Sequence, residues 1–214
     1  MENANIVSES AKKRPSVFEV RNLVQIGILS AIAFLLMSLE IPLWFAPGFY
    51  RLDVSELPVL IGSFAMGPLA GVMIEFIKVV LYFFLHGSST AGVGDLANFI
   101  FGCCLAVPAA LLYRKNKTRK TALAGMALGT VLMAAAAWVV NAFVLLPLYA
   151  AAFHMPMSAL IAMGTQVNPS VVNLSTFVLL IVVPFNLLKG AVVSFLTLVL
   201  YKRVSPILHG RLGS

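Results

Sequence analysis

Seven residues able to bind or ionise stand within the apolar stretches of this sequence: Glu75, Lys78, Asp95, Asn98, Asn141, Asn186 and Lys189. An ionisable or amide side chain in hydrocarbon costs free energy unless it is paired or faces water, so each needs a partner. Glu75 and Lys78 are three residues apart, which puts them on one helical face where they can neutralise each other. Mutual pairing and a place in a ligand site both remain open for them. Asn186 and Lys189 share that spacing but have no acidic neighbour within a turn. Lys189 must therefore find an acceptor on another helix, in water or in a ligand. An amide is donor and acceptor at once, which suits a neutral heteroaromatic ligand with imide and ring-nitrogen groups. A single asparagine is better explained by hydrogen bonding between helices. Asn98, Asn141 and Asn186 together with Lys189 point instead to a polar pocket.

The elements that must position these groups are membrane helices. Hydrophobic residues make up 60% of the chain and charged residues 11%, with a mean hydropathy of +0.97. A soluble domain carries about 25% charged residues, and the apolar runs here approach the roughly 20 residues that cross a bilayer. The reading is an all-α integral membrane protein, a compact bundle of six transmembrane helices over 22–39, 54–66, 69–85, 95–113, 121–146 and 173–201. Asp53 with Glu56 resembles a capping box for the second helix. That helix is too short to span alone unless protein buries its ends. The connection 149–170 reads as a loop. Residues 1–21 form a polar N-terminal tail, 22–203 the membrane domain and 204–214 a C-terminal tail.

Charge placement orients the bundle. The net charge of +7 comes from clusters at Lys12, Lys13, Arg14 and Arg21, at Arg114 to Lys120, and at Lys202, Arg203 and Arg211. Such clusters follow the positive-inside rule better than a nucleic-acid surface, placing both termini in the cytoplasm. The loops after the first, third and fifth helices then face outside. Among them, Trp44 to Tyr50 is either an interfacial aromatic belt or a lid whose rings stack on a flat ligand. The hydroxyls of Ser88, Ser89 and Thr90 could line the same mouth.

Several chemistries are absent from the sequence. It has no P-loop, no G-x-S-x-G, no H-E-x-x-H and no Cys/His cluster, so no catalytic or metal site and no resident cofactor is expected. Cys103 and Cys104 read as small buried hydrophobes. Asn173 to Ser175 matches a glycosylation sequon, a spacing frequent by chance. Gly27 and Ala31 give the small-xxx-small spacing that lets another backbone approach.

The runs R-L-D-V-S-E-L-P-V-L-I-G from Arg51 and F-A-M-G-P-L-A-G-V from Phe64 resemble the substrate-binding S components of energy-coupling factor (ECF) transporters. The continuations E-F-I-K at Glu75 and G-V-G-D-L-A-N-F at Gly92 resemble the riboflavin-specific RibU branch. This resemblance implies a six-helix bundle that binds riboflavin near its outer face and is not an enzyme. The flavin would lie against Asn98, Asn141, Asn186 and Lys189, with Thr90 and Ala91 as further contacts and Trp44 and Tyr50 in the covering loop. Partners implied are the membrane subunit EcfT and the ATPases EcfA and EcfA′, docking on Gly27 and Ala31, where the family has A-x-x-x-A. Other readings are an S component for another vitamin, a small membrane enzyme, or a stand-alone carrier that would need a pocket carboxylate such as Glu75 or Asp95.

Overall fold

Among the described residues, five apolar stretches fold into helices long and apolar enough to cross a bilayer. They are α1 (Val20–Ser38), α3 (Pro68–His86), α4 (Val93–Lys115), α5 (Arg119–Ala152) and α7 (Leu174–Tyr201). The computed structural model describes residues 17–88 and 90–208, with side chains described through Tyr201. The expected tails at 1–16 and 209–214, and Ser89, lie outside the described residues. The described residues also hold two shorter apolar helices, α2 (Glu56–Met66) and α6 (Met157–Val167).

The short helix α2 is the core of the bundle. Every residue from Glu56 to Phe64 is buried, with α1, α3, α4 and α7 packed around it. That burial is what an apolar helix of 11 residues needs if its ends are to stay out of lipid. The expected capping box does not form. The N-cap is Ser55, without a side-chain cap, and Asp53 Oδ1 accepts a hydrogen bond from the Ser55 amide instead (2.9 Å). The Glu56 carboxylate is claimed by lysines, as described below.

Further departures have local causes. Helix α5 runs past Leu146, because a wider π-helical turn at Asn141–Leu145 precedes Pro147. A second such turn, Val178–Val182, precedes Pro184 in α7. Widening the ladder just before a proline lets neighbouring groups take up the hydrogen bond that its missing N–H would have made. The connection 149–170 holds α6, whose Gly164 packs tightly against Phe177. A two-residue antiparallel pair, β1 (Ile41–Pro42) with β2 (Arg51–Leu52), closes the aromatic loop after α1. Asn173, the sequon residue, caps α7 by accepting from the Thr176 amide. Cys103 and Cys104 are free but only half-buried on α4, not core residues as expected.

Close approach of α4 and α5 depends on glycine. A Cβ on Gly129 would lie 2.3 Å from the Leu105 carbonyl oxygen, and one on Gly125 would lie 2.8 Å from that of Ala109. The G-x-x-x-G spacing therefore faces backbone, which cannot swing aside. Gly129→Leu is expected to push the helices apart and cost at least about 1–3 kcal/mol. The check is the unfolding midpoint in detergent; an unchanged midpoint would show that the helices do not rely on this contact.

Candidate ligand-binding site

One end of the bundle encloses a cavity of about 140 Å³. Its wall comes from the loop after α1, the start of α4, the π-helical turn of α5, and α7. Of the polar residues singled out in the sequence, Asn98, Asn141, Asn186, Lys189, Thr90 and Tyr50 all reach this wall. Four separate elements thus bring their polar groups to one place.

The floor is an ion-pair network. Lys189 Nζ lies 2.9 Å from Asp53 Oδ2, 3.1 Å from Glu56 Oε1 and 3.3 Å from Asn98 Oδ1. Those are the acceptors that its position in an apolar helix demanded. Glu56 also touches Lys78 (3.3 Å), which pairs with Glu75 (2.6 Å) and donates to Ser55 Oγ (3.0 Å). Three carboxyl groups thus share two ammonium groups. Burial disfavours ionised Asp53, but the charges of Lys189 and Lys78 and hydrogen bonds from Ser55 and Lys189 outweigh it. Its pKa is held below the ordinary aspartate value.

Glu75 and Lys78 do pair, as their spacing allowed, and both are fully buried. The Glu75 carboxyl fits because α4 has no side chain at Gly102, where a Cβ would come within 2.5 Å of it. Neither Glu75 nor Lys78 reaches the cavity wall. They anchor the network from behind.

The amides sit where the helices change pitch. Asn141 opens the π-helical turn of α5, and Asn186 follows that of α7 by one turn. Each anchors its Nδ2 on the carbonyl four residues back, Ala137 and Val182 respectively, both at 2.9 Å. Asn141 Oδ1 accepts a hydrogen bond from Tyr50 OH at 2.8 Å. The Tyr50 ring is flanked by Phe49, Phe177 and Phe185. Burial, with a smaller contribution from Tyr149, drives its phenol pKa well up, so it remains a neutral donor.

The aromatic loop therefore divides its labour. Tyr50 turns inward over the amides, whereas Trp44 is 88% exposed and off the cavity wall. Ala91 is exposed in the turn before α4, at a left-handed φ of 52°, and it too lies off the wall. Thr90 is on the wall, and its Oγ1 accepts from the Gly94 amide (2.9 Å). The partnership of Asp53 and Glu56 with Lys189 was not legible. They read locally as a helix start, and only the fold brings them to a lysine more than 130 residues away.

Removing one member of a buried charge pair leaves its partner uncompensated, at a cost of about 3–5 kcal/mol. Lys78→Met should accordingly lower the unfolding midpoint sharply, and adding Glu75→Gln should restore part of the loss. Additive effects of the two substitutions in that double-mutant cycle would contradict a shared network.

Comparison with known proteins places this geometry. The profile of the family "ECF transporter, substrate-specific component" matches residues 21–201. The riboflavin transporter RibU of Staphylococcus aureus is 32% identical over 200 residues, covering 93% of this chain and 98% of that protein. The riboflavin transporter FmnP of Bacillus subtilis is 33% identical over 189 residues, covering 88% and 94%. A solved structure of the S component of a bacterial ECF transporter superposes with a TM-score of 0.68 at 30% identity, covering 87% of this chain and 96% of that one. This chain is a multi-pass membrane protein that belongs to the substrate-specific component family of ECF transporters.

Proposed function

We propose that this protein is the riboflavin-binding S component of an ECF-type vitamin importer, capturing riboflavin at the outer face of a bacterial membrane. The observation that carries this reading is the convergence of Asn98, Asn141, Asn186 and Lys189 on one cavity, in a chain whose relatives are named riboflavin transporters. Amides of both polarities and one ammonium match the imide, ring nitrogens and carbonyls of an isoalloxazine. Tyr50 OH occupies the Asn141 acceptor that a ligand N–H would use, so binding exchanges one donor for another. Thr90, and Ala91 through the turn beside it, supply the mouth. Trp44 serves as an interfacial anchor.

In this reading α2 counts as the sixth membrane helix, and the basic residues between α4 and α5 place that loop and both termini in the cytoplasm. The chain performs no catalysis and carries no resident cofactor; energy comes from the ATPases EcfA and EcfA′ through the membrane subunit EcfT. The α1 surface suits docking to EcfT. A Cβ on Gly27 would meet nothing within 4 Å, and Val24, Ile28 and Leu35 are exposed around Gly27 and Ala31.

Purified protein should quench the fluorescence of added riboflavin. Failure to quench would remove the cargo assignment. Asn186→Ala should weaken binding by about 1–3 kcal/mol, roughly 5- to 150-fold, because a desolvated ligand group loses its partner. Unchanged affinity would return Asn186 to a purely structural role. Gly27→Trp should leave riboflavin binding intact, since its position is open, and abolish co-purification with the EcfT–EcfA–EcfA′ module. Intact assembly would place the docking face elsewhere.

A further inference from the structure

One charged group on the cavity wall is left without a use. Asp95 lies in the first turn of α4, one helical turn before Asn98, and is 6% exposed. Its Oδ2 has no hydrogen-bond partner among the described residues, although it is buried. A carboxylate at a helix start is favoured by the helix dipole, which accounts for its position but supplies no donor. Buried polar atoms are nearly always hydrogen-bonded, so a carboxyl group that lines the cavity with one oxygen orphaned marks where a donor belongs.

The neighbouring charges narrow what that donor can be. Arg51, also on the wall, is already paired with Glu40 at 2.5 Å. Lys189 is held by Asp53, Glu56 and Asn98. Among the described residues Asp95 forms no ion pair, so its charge, unlike that of Glu40, has no partner on the wall. A hydroxyl can donate to Asp95. A phosphate monoester in that place would add negative charge to a wall whose described carboxylates, Glu40, Asp53, Glu56 and Asp95, already outnumber its described cations, Arg51 and Lys189.

Resting on the flavin reading, we infer that Asp95 is the specificity-determining residue by which this site distinguishes a flavin with a free polyhydroxyl chain from its phosphate ester. It accepts a hydrogen bond from a chain hydroxyl and repels the phosphate. Discrimination of this kind rests on a repulsive element as well as an attractive one.

The test titrates the full-length purified protein with riboflavin, FMN and lumiflavin, which has the ring but no polyhydroxyl chain. Wild-type protein should favour riboflavin over FMN by about tenfold or more. Asp95→Asn should narrow that ratio at least about fivefold, chiefly by strengthening FMN, while lumiflavin binding stays within about twofold. Asp95→Ser, smaller and also neutral, should narrow it likewise and stands in if the Asn variant does not fold. An unchanged ratio in both variants would overturn the inference, and so would an equal loss for all three ligands, which would mark Asp95 as structural. Wild-type protein that binds none of the three would overturn the flavin reading itself, an outcome distinct from a failure confined to Asp95.

Discussion

A lysine ammonium within an apolar helix cannot be left unpaired, and the arrangement of this protein follows from how Lys189 is satisfied. Its carboxylate acceptors come from the start of α2, Asp53 just ahead of the helix and Glu56 opening it. That requirement holds α2 in the middle of the bundle, directly beside α7. The Glu56 carboxylate then reaches Lys78 as well, so α3 is tied to the same knot and Glu75 with it. Opening any one of these contacts exposes a charge to an environment that solvates it poorly. The network is therefore a constraint on the positions of three helices at once. It also fixes the Lys189 ammonium at the floor of the cavity, where Asn98 shares it.

Around this floor the rest of the site is built from softer elements. Two prolines, Pro147 and Pro184, follow widened turns in α5 and α7, and the asparagines lie at or just beyond those turns. The aromatic loop closes the space with Tyr50 on Asn141 and with ring contacts to Phe177 and Phe185. An ionic floor beneath an aromatic cover gives a cavity whose polar groups are held by the protein itself. For a ligand held there, such positioning would lower what binding must spend on ordering the protein.

Much of this was legible in the sequence, for identifiable reasons. Hydropathy alone located α1, α3, α4, α7 and the greater part of α5, because lipid admits few alternatives to helix. The cost of burying polar groups singled out Asn98, Asn141, Asn186 and Lys189 without reference to shape. Illegible were the features that depend on distant contacts or on compensated prolines. Asp53 and Glu56 mimic a capping box locally and reveal their partner only in three dimensions. Pro147 reads as a helix stop unless the preceding turn is known to widen. Gly125 and Gly129 carry a spacing that could have been noticed, but only the fold shows that backbone lies opposite them. Trp44 and Tyr50 are alike in the sequence, and packing alone sends one outward and the other over the amides.

The most direct test of the central claim is an experimental structure of the protein with riboflavin bound. The flavin is predicted to lie in the cavity between α4, α5 and α7, within hydrogen-bonding distance of Asn98, Asn141, Asn186 and Lys189. Tyr50 should have given up its bond to Asn141, and Asp53 and Glu56 should still hold Lys189. A flavin bound elsewhere, or one seated there with Lys189 released from both carboxylates, would contradict the account.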